Sequence, residues 1–226
     1  MSVALRFPEV HAVLFDLDGT LVDSAPDLAL AGNALREVRA LAPLDLATYR
    51  PHAGSGARGI LQVALGATPE QGNYDSLREE FLDAYERYLL HRTQCFEGVE
   101  GLLATLGSKG VRWGIVTNKA SRFTQPTVAA FSAFQHARTV ICGDTTPHTK
   151  PHPAPVLAAL NAAQLDPRHT VYVGDDERDI QAGRAAGLRT IAAAYGYLGP
   201  SANPHDWAAD AIVDSPLELL KLFDPG

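Results

Sequence analysis

Cysteine is scarce in this chain: Cys95 and Cys142 are its only two among 226 residues, far apart and without a CxxC pair. That excludes a disulfide scaffold and a cysteine-built zinc site, and it suits a reducing, cytoplasmic compartment. No apolar run approaches the roughly 20 residues needed to cross a bilayer, so no membrane partner is expected. The opening residues carry Arg6, Pro8 and Glu9 and lack the apolar core of a signal peptide. Positive charge is also in deficit, with Lys+Arg 19 against Asp+Glu 26 and a formal net charge of -7. Polyanion binding needs a basic face, so a nucleic-acid partner is not expected either. What remains, 46% hydrophobic and 20% charged, is the makeup of a folded chain with ample material for a core.

Short apolar runs recur along the sequence at residues 11–15, 111–116, 139–142, 170–173, 190–193 and 211–213. Helical patterns lie between them at 99–106, 154–163 and 180–186. Strands apolar on both faces that alternate with helices predict a parallel sheet covered on both sides, a doubly wound α/β core. Residues 26–92 break this rhythm and offer only helical pattern, with helices expected over 28–38 and 59–65. There Leu77, Phe81, Tyr85 and Leu89 fall four residues apart, one apolar stripe on a long helix. The expected organisation is therefore an α/β core over 1–25 and 93–226 with an all-helical domain, 26–92, inserted after the first strand. The Pro/Gly-rich stretch 196–204 reads as a surface loop before the last strand.

Four motifs sit where strands of the core should end, the side on which open α/β sheets bind ligands. The first is Asp16-Leu17-Asp18-Gly19-Thr20, in which two close carboxylates call for a cation or a shared proton and Gly19 allows a sharp turn. The second is Val116-Thr117-Asn118-Lys119, whose hydroxyl and amide suit a phosphate oxygen, although a Thr-Asn pair alone also serves as a helix cap. The third is Lys150-Pro151-His152-Pro153, a cation in a stiff turn before a helix. The fourth is Gly174-Asp175-Asp176-Glu177-Arg178-Asp179, whose acids would also suit a helix N-terminus. Carboxylate oxygens converging from Asp16 and Asp175 suit Mg²⁺. Two decoys accompany these motifs. Gly54-Ser55-Gly56-Ala57-Arg58-Gly59 satisfies GxGxxG but follows no strand, so it is expected to be a Gly-rich loop presenting Arg58 and backbone N–H groups to the crevice. His148 and His152 are separated by Pro151, which disfavours a histidine metal site.

Taken in this order, the DxDGT, Thr, Lys-Pro and GDDxxD motifs resemble the haloacid dehalogenase superfamily over essentially the whole chain. The resemblance implies that Asp16 is a nucleophile forming an aspartyl phosphate and that Asp18 is the general acid and base. It implies further that Mg²⁺ is held by Asp16, Asp175 and the backbone carbonyl of Asp18. Thr117, Asn118 and Lys150 would bind phosphate oxygens, and Asp179 would orient Lys150 or a metal-bound water. Whether Asp176 or Asp179 meets the metal through water stays open. The helical insert corresponds to the superfamily's small cap, with Gly56 and Arg58 meeting the substrate's organic part. Within the superfamily the motifs look most like phosphoglycolate phosphatases, with N-acetylmuramic acid 6-phosphate phosphatases close behind. β-Phosphoglucomutases are a weaker match, because the segment Ser24-Ala25-Pro26-Asp27-Leu28 lacks the histidine they usually carry there. A phospho-acceptor module of the receiver kind is disfavoured by length and by the second aspartate, Asp18. The expected partner is a small-molecule phosphomonoester, and the expected state is a monomer or homodimer.

Overall fold

The computed structural model describes residue 7 and residues 9–223. Most of the opening segment read above for a targeting signal lies outside the described residues. In chain order the strands are β1 (Ala12–Phe15), β2 (Val22–Asp23), β3 (Gln94–Cys95), β4 (Arg112–Val116), β5 (Val140–Ile141), β6 (Thr170–Gly174), β7 (Arg189–Ala193) and β8 (Ala211–Val213). The α-helices are α1 (Ala25–Val38), α2 (Leu46–Tyr49), α3 (Gly56–Leu65), α4 (Tyr74–Tyr88), α5 (Val99–Ser108), α6 (Ser121–Ala130), α7 (Ala154–Ala162), α8 (Glu177–Ala185) and α9 (Glu218–Phe223).

Six strands form one parallel sheet in the order β5-β4-β1-β6-β7-β8. The alternation of side chains along β1 explains its unbroken apolar run. Val13 and Phe15 enter a cluster with Leu102, Leu103 and Leu106 of α5. Ala12 and Leu14 enter a second cluster on the other face, with Val156, Ala159 and Leu160 of α7 and Ala182 of α8. Both faces are thus covered, and each large side chain withdrawn from water contributes about 1.5–3 kcal/mol. From β1 the chain builds first to one side, through β4 and β5, and then to the other, through β6 to β8. That reversal leaves a crevice at the C-terminal end of β1.

Helices α1 to α4 pack around a cluster that includes Leu35, Tyr49, Ile60, Leu61 and Phe81 and is joined by Phe123 and Tyr197 from the sheet side. Phe81 and Tyr85 of the predicted stripe are buried with their rings stacked, whereas Leu89 lies past the end of α4. The Gly-rich stretch expected to loop is helical instead. A 3₁₀ turn over Arg50–Ser55 runs directly into α3, and Gly56 takes φ 55 at the junction, a conformation open to a residue without a Cβ. The stretch 196–204 also departs from expectation at its start, where Gly196 lies against Asp175 and Tyr197 is buried. The β2–β3 ribbon is too short for a periodic signal, and Pro126 inside α6 obscured that helix.

The chain leaves the sheet through β2 and returns through β3, which pair antiparallel. Asp27, fully buried in the first turn of α1, clamps the returning segment. Its carboxyl oxygens accept from the amides of Arg92 (2.8 Å) and Thr93 (3.1 Å) and from the Thr93 hydroxyl (2.6 Å). Asp27→Ala removes three acceptor contacts at this half-buried crossing and is expected to lower stability by about 2–3 kcal/mol, read from the denaturant midpoint. An unchanged midpoint would show that water replaces the clamp.

Candidate active site

Three strand ends converge at the crevice. Asp16 follows β1, and its amide extends the ladder to the Val173 carbonyl of β6 (2.9 Å). Thr117 follows β4 and is buried, its amide donating to Ile141 (2.9 Å). Asp175 follows Gly174 at the end of β6 and is also buried. Lys150 arrives from the turn before α7, and Asn118 fixes its backbone. The Asn118 amide donates to the Lys150 carbonyl (3.0 Å) and its oxygen accepts from the Lys150 N–H (2.9 Å). The Asn118 side chain therefore serves Lys150.

The Lys150 ammonium reaches Asp16 Oδ1 (2.7 Å), Asp179 Oδ1 (2.6 Å), the Val116 carbonyl (2.9 Å) and the Tyr172 hydroxyl (3.0 Å). Burial alone would weaken its hold on the proton, but attraction to Asp16 and Asp179 prevails and holds its pKa well above the ordinary value. Burial pushes the Asp16 carboxyl up, opposed by Lys150. Burial pushes Asp179 up to about 7, again against Lys150. Asp175 is also raised, well above the ordinary carboxylate value, by burial and by the negative charges of Asp16 and Asp179. One ligand oxygen from each of these three acids lies within 4.8 Å of the others. A single ammonium cannot balance three buried carboxylates, so this cluster holds either protons or a further cation.

Asp18 projects towards the same cleft but keeps different company. Its Oδ1 accepts from the Lys119 ammonium (2.9 Å) and from the Ser24 hydroxyl (2.5 Å). Lys119 also donates to the Tyr85 hydroxyl (2.5 Å) of α4, so a side chain from the helical block takes part in holding Asp18. Asp175 is gripped on both oxygens, by the Thr20 hydroxyl (3.0 Å) and the Tyr197 amide (2.8 Å). Gly19, at φ 92, turns the backbone so close to this carboxylate that a side chain would overlap it. Asp176 lines the same cleft but is engaged elsewhere. It caps α8 and binds Arg178 through both oxygens (2.7 Å each). Arg178 continues across to the Gly54 carbonyl (2.7 Å) in the helical block.

The sequence-predicted residues Asp16, Asp18, Gly56, Arg58, Thr117, Asn118, Lys150, Asp175 and Asp179 all line one cleft of about 570 Å³ between sheet and helical block. Leu28, Tyr74, Phe81, Leu82 and Phe123 give it an apolar wall. Arg58 stands exposed in the first turn of α3, and His148 and His152, rings 4.3 Å apart, lie outside this lining. Sequence reasoning missed Lys119, Tyr85, Arg178 and Tyr197. Lys119 sits two residues past Thr117 on the same strand tip, a usable signal. The dense Tyr195-Gly196-Tyr197 following an apolar strand was another.

Known proteins resemble this chain in sequence and in fold. An N-acetylmuramic acid 6-phosphate phosphatase of Pseudomonas putida is 41% identical over 215 residues, which span 95% of this chain and 96% of that protein. A phosphoglycolate phosphatase of Xanthomonas campestris pv. campestris is 43% identical over 215 residues, with 95% and 96% covered. A crystal structure of a Haemophilus somnus protein described as a predicted phosphoglycolate phosphatase superposes with a TM-score of 0.82 at 28% identity, covering 95% of this chain and 98% of that one. Residues 13–193, from the middle of β1 to the end of β7, match the haloacid dehalogenase-like hydrolases, and the chain belongs to that family.

Proposed function

We propose that this protein is a Mg²⁺-dependent phosphomonoester phosphatase that works through an aspartyl phosphate on Asp16. What carries the reading is the meeting of Asp16, Asp175 and Asp179 within 4.8 Å, with Asp18, Thr117 and Lys150 around the same cleft. An Asp16 oxygen forms the bond to phosphorus while the ester oxygen leaves, and Asp18 gives that oxygen its proton. Water then attacks the aspartyl phosphate, Asp18 takes the proton back, and inorganic phosphate departs. Splitting one slow hydrolysis into two steps is the gain of covalent catalysis. General acid–base help typically contributes about 10²–10⁴-fold. Lys150 and Thr117 receive phosphate oxygens, and Asp179 holds the Lys150 ammonium in place.

The acid cluster fits a divalent cation. Its donors are oxygens only, and its unbalanced negative charge is what such an ion would neutralise. Asp16 and Asp175, with the Asp18 carbonyl, would hold Mg²⁺, which when bound screens the repulsion between carboxylate and phosphate. Residues 26–92 serve as a cap that excludes water and reads the organic part of the substrate. A cleft of about 570 Å³ falls in the range of about 300–1,000 Å³ that encloses sizeable ligands. Phosphoglycolate, to which the motifs pointed first, would leave most of it empty. A phosphorylated amino-sugar acid such as N-acetylmuramic acid 6-phosphate would fill it and lay its ring on the apolar wall. Arg58 would pair with the carboxylate that either substrate carries.

Asp16→Asn is expected to retain less than about a hundredth of the wild-type rate with an unchanged circular dichroism spectrum, because the amide is no nucleophile. Asp18→Asn should still be phosphorylated by an ester with an activated leaving group but should hydrolyse the intermediate slowly. Rapid quench should therefore show a burst, and its absence would contradict the acid–base role. The kcat/KM for N-acetylmuramic acid 6-phosphate should exceed that for phosphoglycolate by about tenfold or more; the reverse ratio would return the assignment to the smaller acid. Arg58→Ala should raise KM about tenfold for the preferred acid and leave an uncharged phosphomonoester within about twofold, as expected for a lost charged hydrogen bond. Equal losses on both would assign Arg58 to cap closure.

A further inference from the structure

Tyr197 belongs to none of the four motifs, yet its two polar ends meet two different parts of the machinery. Its backbone N–H donates to Asp175 Oδ2 (2.8 Å). Its phenol oxygen accepts from the amides of Ser24 (2.7 Å) and Ala25 (2.9 Å), and its O–H donates to Asp23 Oδ1 (3.1 Å). Residues 23–25 are the segment through which the chain passes from the β2–β3 ribbon into α1. Both phenol lone pairs and its proton are used, in a residue only 5% exposed.

The neighbours explain why a phenol is required here. Ser24 stands at the N-cap of α1 but makes no side-chain cap bond, and its hydroxyl is donated to Asp18 instead. Separately, the Ser24 and Ala25 amides at the start of α1 find their acceptor in the Tyr197 phenol, from across the fold. Asp23 receives Arg50 on both oxygens (3.0 and 2.8 Å), which carries the connection into the 3₁₀ turn of the helical block. Packing alone would be met by a phenylalanine, since the ring sits 6.3 Å from Phe96 within an apolar cluster.

We infer that Tyr197 is a positioning residue that couples the Asp175 carboxylate to the linker carrying the helical block. The inference rests on the proposed role of Asp175 in holding the cation. With the linker seated, Tyr197 keeps its amide on Asp175; with the linker displaced, the loop from Gly196 onward loses its anchor and Asp175 loses that donor. Coupling of this kind is reciprocal, so a cation on Asp175 should in turn steady the linker.

Calorimetric titration of Mg²⁺ into the wild type, Tyr197→Phe and Thr93→Val tests the coupling. Thr93→Val loosens the other crossing, at Asp27, without touching Asp175. Tyr197→Phe is expected to weaken Mg²⁺ binding about five- to tenfold, within the usual span of coupling effects, with Thr93→Val staying within about twofold. Hydrogen–deuterium exchange on the wild type needs no variant, and Mg²⁺ should slow the Ser24 and Ala25 amides. Unaltered affinity in Tyr197→Phe, equal loss in Thr93→Val, or exchange indifferent to Mg²⁺ each overturns the coupling. A wild type that binds no Mg²⁺ overturns the cation reading of Asp175 and this inference with it. Should Tyr197→Phe not fold, the exchange measurement decides alone.

Discussion

The Lys150 ammonium lies buried between Asp16 (2.7 Å) and Asp179 (2.6 Å), and the crevice is organised around holding it there. Removing three charges from water costs several kcal/mol for each, a cost offset only by close and well-oriented partners. The fold supplies them from separate elements. Asp16 extends β1, Asp179 rises from the first turn of α8, and the Val116 carbonyl closes the cage from the end of β4. Asn118 holds the Lys150 backbone so that its side chain enters from the correct side. The crevice at which the strand order reverses is what allows all four to meet.

Around that cage the sheet and the helical block meet through polar contacts and through Phe123 and Tyr197, which enter the apolar cluster of the block. Tyr85 reaches Lys119, Arg178 reaches the Gly54 carbonyl, and Arg50 reaches Asp23. An interface of that character suits two bodies that move relative to one another, as the proposed cap requires. It also places residues of the block against the proposed acid, Asp18, and against the loop that grips Asp175.

In this haloacid dehalogenase-like hydrolase the strands of the main sheet were legible because a parallel strand buried on both faces must be apolar throughout. The runs at 170–173 and 190–193 appear as β6 and β7 for that reason. Asp16, Thr117 and Asp175 were legible because each comes at the end of such a run. The 3₁₀ turn over Arg50–Ser55 was not, since the glycines that end it also satisfy the pattern of a loop. Nor was the burial of Tyr197, whose surroundings in sequence are those of an exposed turn.

Sequence by itself therefore determined the layered α/β architecture and which chemical groups stand at the strand ends, because both follow from period and adjacency along the chain. Tertiary structure alone decided the partners: Lys119 with Asp18, Asn118 with the Lys150 backbone, Tyr197 with Asp175 and residues 23–25. It also decided the size and wall of the cleft. These depend on residues up to 174 positions apart, brought within hydrogen-bond distance by strand order and helix packing. A hydrogen bond is selected by distance and angle in space, which local pattern does not encode.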